Sequence, residues 1–475
     1  MSTPADNDVS LIDARPVAAA VDTPAALADT ASASAAAPSN EVATGSAPAS
    51  NTAPASNTAP APGNSPQRAY FDHAATTPLR PEVLEAMQPF LLGHFGNANS
   101  LHREGKEARQ ALEQARETIA NLIGAVPSEV VFTSGGTESN NTLINGLLRG
   151  LRDSRGKSRD DTHVLASAFE HHAVLEPVRR LKRQGYQISL LKPRRDGFIH
   201  PDDFVNALRP ETALASVMTA NNEVGTIQPV EELARLCRQH DVLFHTDAVQ
   251  ALGKIPFRVN QLGIDAASFS AHKIGGPKGV GAFYLRRRTP FAASLLGGGQ
   301  EGGRRSGTQD VAGAVGLARA LELADAERKD NFARLIRLRN HLICGLTELS
   351  GRIRLTVPID VRDLESDALL PGFIPLLVQG LESETMILKL DNAGFAVSGG
   401  SACTTGSLEP SHVLLALGLS KDDAYTALRI SMGPENTEQQ ADAFIAAMGR
   451  ILKPAPVEQG IRQRDYPNQD ATLSK

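Results

Sequence analysis

The chain has 475 residues, 41% hydrophobic and 21% charged, with a formal net charge of −5, no Trp and few aromatic residues. That length holds two or three domains with sizeable cores, while no long basic run points to direct contact with nucleic acid and no apolar stretch is long enough to span a membrane. Three scattered cysteines, Cys237, Cys344 and Cys403, exclude a disulfide framework or a zinc site and fit a reducing, cytoplasmic setting.

Residues 1–66 hold six acids (Asp6, Asp8, Asp13, Asp22, Asp29, Glu41) against one base, Arg15. Taking that base from the 48 and those acids from the 53 leaves 47 of each, so the whole net charge sits in this tail. The tail is rich in Ala, Pro, Ser and Thr, repeats ASNTAP at 49–54 and 55–60, and has too few large apolar side chains to offset its ordering entropy. It reads as a disordered solubilising extension. An organelle transit peptide would be rich in Arg and poor in acids, and a secretory signal would lead from a basic start into an apolar run.

Order begins near Arg68. YFDHAATTP (70–78) is a short extended segment ending in turn residues, 81–90 a helix with Pro in its first turn, and 106–123 an amphipathic helix after the polar loop FGNANS (95–100). Residues 130–133 (VVFT) form a strand, followed by SGGTES (134–139) and a helix to about Arg149. A strand, a glycine turn with hydroxyls and a helix start together make an anion site, because free N–H groups and the positive helix end converge where small residues allow close approach. An ordinary helix cap by Ser134 or Thr137 is the competing reading, and these residues alone leave both open.

The alternation continues with strands at 164–168, 186–191, 214–218 and 242–245 and helices at 173–184, 201–208 and 229–239. This βαβ rhythm predicts a largely parallel sheet with helices on both faces, and ligands in such sheets sit beyond the carboxyl ends of the strands. Five polar clusters fall there: 134–139, Glu170-His171-His172, Asn221-Asn222-Glu223, 247–250 and 270–273.

In SFSAHKIGGPKGVGAFY (268–284) a short strand stops at Ala271-His272-Lys273, before a glycine-rich turn. Taken alone, Lys273 reads as a surface lysine at a strand end. A lysine near buried sheet becomes useful when it forms an imine with a carbonyl, as lysines do with pyridoxal phosphate. That cofactor needs a carboxylate at its ring nitrogen, an anion cradle and a group over the ring face. Asp247, just past an apolar strand, suits the first role, although it also suits a turn; Gln250 can donate to the ring hydroxyl. His171 can stack on the ring and move protons near neutral pH. A metal pair with His172 is disfavoured, because chain neighbours diverge and no third ligand presents itself.

Beyond the returning strand 281–285, LGGGQEGGRRSGTQD (296–310) is a long loop. Its Gly297, Gly299 and Gly302 match the spacing of a dinucleotide fingerprint, but no helix opens at them and no βαβ unit surrounds them. Residues 311–349 are helical, followed by a smaller α+β region with a strand at 428–431.

YFDHAATTP (70–78), FTSGGTESNN (132–141), EHHAV (170–174), NNEVG (221–225), HTDAVQ (245–250), SFSAHKIGGPKG (268–279), RRSGT (304–308) and SGGSACTTGSLEPSHVL (398–414) together resemble the iron–sulfur-cluster subgroup of the cysteine desulfurases, pyridoxal phosphate enzymes of fold type I in the class-V aminotransferase group. The resemblance runs from about Tyr70 to Arg450. It implies an α/β fold in which a large domain (81–325) carries a mostly parallel seven-stranded sheet flanked by helices. The segment 67–80 would pack with a small C-terminal α+β domain (326–452), and 453–475 would be a flexible tail.

Residue by residue, the resemblance implies that Lys273 carries the cofactor, Asp247 faces its ring nitrogen and His171 stacks on it. Asn222 and Gln250 would contact its O3′ side, Gly136, Thr137, Ser270 and His272 would hold its phosphate, and Thr308 would reach the phosphate of the other subunit in a homodimer. Arg429 would bind the substrate carboxylate, a task suited to its fork geometry. Cys403, on a loop of small residues that suits a thiolate which must travel, would take sulfur from L-cysteine as a persulfide, leaving L-alanine. The sulfur would pass to an acceptor, an iron–sulfur scaffold or a tRNA-thiolation relay. The alternatives on the same fold are a selenocysteine lyase and an aminotransferase. Cys237 and Cys344 read as packing residues. Two positions depart from the subgroup: Gly302 stands where it has arginine, and Ala98 where proline follows FGN.

Overall fold

The computed structural model describes residues 68–156, 158–358, 368–400 and 409–453, all within the unit Asn64–Lys475. The acidic tail at 1–66, the C-terminal tail beyond Lys453 and Cys403 lie outside the described residues. In chain order the elements are β1 (Ala69–Tyr70), α1 (Pro81–Leu92), α2 (Arg103–Ile123), β2 (Val130–Thr133), α3 (Gly136–Arg155), β3 (His163–Ser167), α4 (His172–Arg183), β4 (Gln187–Leu191), α5 (Pro201–Ala207) and β5 (Thr212–Ser216). There follow α6 (Val230–Gln239), β6 (Leu243–Asp247), α7 (Val259–Leu262), β7 (Ala266–Ser270), β8 (Gly281–Leu285) and α8 (Val311–Leu349). The rest are β9 (Ile353–Leu355), β10 (Phe373–Val378), α9 (Ser383–Asn392), β11 (Phe395–Ala396), α10 (His412–Ala416), α11 (Lys421–Ala424), β12 (Ala427–Ser431) and α12 (Glu438–Leu452).

Seven strands form one sheet in the order β2-β8-β7-β6-β5-β3-β4. The four pairs from β7 to β4 are parallel, and β8 runs antiparallel to both neighbours. Because β2 and β7 both oppose β8, they point the same way. The carboxyl ends of β2, β3, β5, β6 and β7 therefore share one edge, which is the α/β fold the alternation predicts. The inner strands β3, β5 and β7 are buried along their whole length, as expected of strands covered on both faces. α3 and α4 cover one face through Leu143, Leu147, Val174 and Val178. α1, α2, α6 and the first half of α8 cover the other.

A separate core gathers β1, β10, β11, β12, α9, α12 and the second half of α8. α8 is one unbroken helix of 39 residues. It buries Val311 to Leu321 in the first core and Leu335 to Leu346 in this one, so position 325/326 falls inside a continuous helix. Phe71 is fully buried against Phe395 (ring centroids 6.1 Å apart) and Phe444 (5.6 Å). Removing such a ring costs about 3–5 kcal/mol, and this anchor sets the position of Asp72, Ala74 and Ala75 just beyond it. Among the described residues no helix is long and apolar enough to cross a membrane, and no group of His, Cys, Asp and Glu could hold a metal ion.

Candidate active site

The glycine turn after β2 leads into the N-terminus of a 20-residue helix, as the anion-site reading requires. Gly135 has φ +147°, which L side chains rarely adopt. A Cβ on Gly136 would meet Val249 Cγ2 at 2.7 Å, so glycine is needed where α3 passes the segment after β6. The Ser270 hydroxyl lies 3.9 Å from where a Gly135 Cβ would be, which brings the end of β7 against the same turn. Thr137 is exposed at the helix start. His272 Nδ1 lies 3.1 Å from Thr76 Oγ1. Burial, with Lys273, Lys278 and Lys254 nearby, pushes its pKa down to about 4, so it stays neutral at pH 7.

Lys273 closes a short 3-10 turn after β7, and its Nζ donates to the carbonyls of Ala74 and Ala75, both at 2.6 Å. Gln250 donates from Nε2 to the same Ala74 carbonyl at 2.9 Å. Asp247 is the last residue of β6, which runs on past the strand expected at 242–245. Its carboxylate accepts from Asn140 Nδ2 at 2.6 Å and from the Val249 N–H at 2.9 Å. His171 caps α4, its Nδ1 accepting from the Ala173 N–H at 3.0 Å. A backbone N–H only donates, so the ring's own proton sits on Nε2. Burial, then Lys273 and His172, hold its pKa below the usual histidine value against the opposing pull of Asp247.

At the other end of the site Arg429, on β12, is 2% exposed. It donates to Asp72 Oδ1 at 2.9 Å and to the Asn222 carbonyl at 2.8 Å. Its Nε, Asn222 Oδ1 and Asn140 Oδ1 are buried with no hydrogen-bond partner among the described residues. Such orphans mark polar positions that await a ligand or water.

The segment that holds Cys403 leaves and re-enters the described residues beside this cluster. Ser398 exchanges backbone hydrogen bonds with Arg429, and a Cβ on Gly400 would lie 3.3 Å from Ser411 Cβ. Ser411 Oγ donates to the Glu223 carboxylate, and His412 Nε2 lies 2.9 Å from the Glu170 carbonyl. Burial pushes the pKa of Glu223 up to about 7, against Ser411 and Arg429.

Lys273, His171, Asn222, Asp247, Gln250, Ser270, His272, Gly136 and Thr137 thus gather at one edge of the seven-stranded sheet, and Arg429, from the other sheet, meets them at Asn222. Thr308 does not join them; it is exposed on the loop 296–310. Two buried or half-buried ion pairs pin that loop, Glu301 to Arg116 at 2.7 Å and Arg305 to Glu138 at 2.7 Å. The loop forms a 3-10 turn at its glycines and no helix, and Gly302 there has φ +63°. Cys237 is buried in α6, and burial pushes its thiol pKa up. Cys344 is exposed, contrary to its reading as a packing residue. α8 turns Leu342, Ile343 and Leu346 inward, which puts Cys344 on the outer face.

Sequence reasoning missed Asn140 and Asp72, which hold Asp247 and Arg429. Both lie inside quoted motifs, FTSGGTESNN and YFDHAATTP; a polar residue on the buried face of α3 was the available signal for Asn140.

A class-V aminotransferase family model matches residues 69–444. The chain is 44% identical over 387 residues to cysteine desulfurase IscS of Dictyoglomus turgidum, covering 82% of this chain and 95% of that one. Among solved structures it is similar to a NifS-like protein (TM-score 0.74, 38% identity, 81% of this chain and 99% of the other). It is also similar to SspA in complex with cysteine (TM-score 0.65, 34% identity, 78% and 100%).

Proposed function

The chain belongs to the cysteine desulfurases of the class-V aminotransferase family and works with pyridoxal 5′-phosphate, and on that premise we propose how its own residues remove sulfur from L-cysteine to leave L-alanine. The residues present fit this cofactor: a glycine turn with no room for a side chain, a lysine, a buried carboxylate and orphaned polar atoms of Asn222 and Arg429 lie on one edge. Gly136, Thr137, Ser270 and His272 would hold the phosphate, Lys273 the aldehyde carbon, Asp247 the ring nitrogen, and Asn222 with Gln250 the ring oxygen. Bound there, the cofactor supplies an electron sink for the substrate's α-carbon.

Asn140 and the Val249 N–H keep Asp247 aimed. Arg429, with Asp72 and Asn222 fixing two arms of its fork, offers Nε to the substrate carboxylate. Lys273 takes the α-proton. His171, neutral and with its proton on Nε2, presents a ring face and one donor on the substrate's thiol side. The Cys403 thiolate attacks the substrate sulfur, and the S–S bond forms as the C–S bond breaks. The C–S electron pair stays with the substrate carbon, which takes a proton on the way to alanine, and the thiol must be kept reduced between turnovers, as in the cytoplasm.

Exposed Thr308 supports a homodimer in which it reaches the partner's phosphate, and the loop of Cys403 supports delivery to a protein acceptor, an iron–sulfur scaffold or a tRNA-thiolation relay. The core that Ala69 and Phe71 share with β10, β12, α9 and α12 supports a smaller domain within 326–452 that 67–80 joins, beside a cofactor domain over 81–325 into which Leu369, Leu370, Val413 and Leu414 also pack.

The observation that carries these roles is the convergence of Lys273, Asp247 and His171 beside the two ends of the Cys403 segment. Cys403→Ser is expected to keep the cofactor absorbance and its response to cysteine while losing sulfide and alanine production. Lys273→Ala is expected to lose the lysine-bound absorbance. Full turnover by the first variant, retention of the band by the second, or amino transfer that depends on a keto acid in the wild type would overturn the assignment.

A further inference from the structure

A second lysine stands behind the first. Lys254 is half-buried and opens, with Lys273, onto a cavity of about 630 Å³ between the 74–82 segment and α8. Its Nζ donates to Gln250 Oε1 at 2.9 Å, while Gln250 Nε2 donates to the Ala74 carbonyl, which also receives Lys273 Nζ. The two lysines are thus joined through one side-chain amide and one peptide carbonyl.

The chemistry of the donors makes this chain directional. An ammonium has three donors and no acceptor, so it can face only the oxygen of the Gln250 amide. The NH2 end must then point at Ala74, and its second proton is left for a ligand acceptor. Without Lys254 only the Ala74 carbonyl selects this orientation, and a flipped amide would set Oε1 against that carbonyl and present an acceptor to the cofactor oxygen. The charge adds to the effect, since a cation next to the amide polarises its N–H bonds.

We propose that Lys254 is a positioning residue that fixes the Gln250 amide so that its N–H faces the oxygen of the lysine-bound cofactor. The inference rests on the roles given to Lys273 and Gln250 above. Burial, with Lys273 and Arg429, pushes the pKa of Lys254 down to about 7, so the donor-only ammonium that orients the amide is the main form below that pH and gives way to an amine above it. No carboxylate is among the groups that set this value; Arg80, Glu82, Glu327, Arg328, His73 and Glu435 share the cavity.

The sign of the effect follows. Losing a proton leaves the lysine-bound cofactor more negative at its ring oxygen, and an N–H donor and a nearby cation both favour that state. In the full-length, cofactor-loaded protein, the pH midpoint of the lysine-bound absorption band is therefore expected to rise by roughly one unit in Lys254→Met. It is expected to stay in place in Lys254→Arg, which keeps a donor-only cation. Lys254→Gln serves as the neutral variant if Lys254→Met does not fold.

In a Gln250→Ala background the Lys254→Met shift should shrink, because the oriented amide is gone and only the direct effect of the charge remains. An unmoved midpoint in the neutral variants overturns the proposal, as does a shift of undiminished size without Gln250. A failure of the function reading looks different: Lys273→Ala would then retain the band.

Discussion

Arg429 is a buried guanidinium whose charge is balanced by one carboxylate, Asp72 at 2.9 Å, with side chains 3% and 16% exposed. A buried pair is worth little against an apolar replacement, but removing one partner strands the other charge at a cost of about 3–5 kcal/mol. Asp72→Ala is expected to lose stability in that range, measured by urea unfolding of the loaded protein, and to raise KM for cysteine as the fork loses its alignment. Asp72→Asn keeps an acceptor for one arm and should lose less. A loss under about 1 kcal/mol in Asp72→Ala would mean that Arg429 is held by Asn222 and the substrate side alone. The role of Asp72 is invisible in the sequence because its partner lies 357 positions away; neither residue belongs to the other's motif or period.

The loop 296–310 shows what an element gains from a single internal ligand. Glu301 has φ +53° and is 6% exposed, and its carboxylate takes both arms of Arg116 and the Phe132 N–H. It thereby ties the loop to α2 and to β2, the edge strand that leads into the anion turn. Arg305 makes a second tie to Glu138, which also accepts the Ser134 N–H of that turn. Glu301→Ala should therefore expose the loop to limited proteolysis between 295 and 309 and weaken the proposed dimer in sedimentation, while the absorbance of bound cofactor falls less than dimer content. Unchanged cleavage would show that Arg305 alone holds the loop.

At this scale the sequence was most informative where local chemistry decides: the Pro81 helix start, the VVFT strand and glycine turn, and the Lys273 strand end all stand where period and turn residues put them. It was least informative at ends set by tertiary contact. α3 runs to Arg155 instead of Arg149 because Gly156, at φ +65°, stops it rather than the last apolar residue. The pinning of the loop by Glu301 could not be read, since a glutamate among glycines looks solvated until Arg116 is placed beside it.

Taken whole, the molecule buries titratable groups of both kinds, and their shifts bound its stability from two sides. His245 lies between Ser216 and Ser268 inside the sheet, and burial pushes its pKa down to about 3. His163 is pushed down to about 4. Both sit below the ordinary value of 6.5, so the unfolded chain binds more protons between these limits and stability is lost as pH falls through them. Glu170 does the opposite. One carboxylate oxygen accepts from Ser167 Oγ at 2.6 Å and the Met218 N–H at 2.7 Å, the other has no partner among the described residues, and burial, with Asp247, raises its pKa to about 8.

A carboxyl raised above its unfolded 4.5 keeps its full contribution below that value and loses it as pH rises through 8. Each pH unit between 4.5 and 8 costs about 1.4 kcal/mol per proton, and above 8 the loss grows no further. Glu170→Gln keeps the doubly accepting oxygen and cannot ionise. It is expected to match the wild type near pH 4.5 and to melt higher at pH 8, flattening the fall of Tm between those values. A fall of the same slope in both proteins over that range would show that Glu170 ionises freely in the fold and that the loss arises at Glu223 or elsewhere.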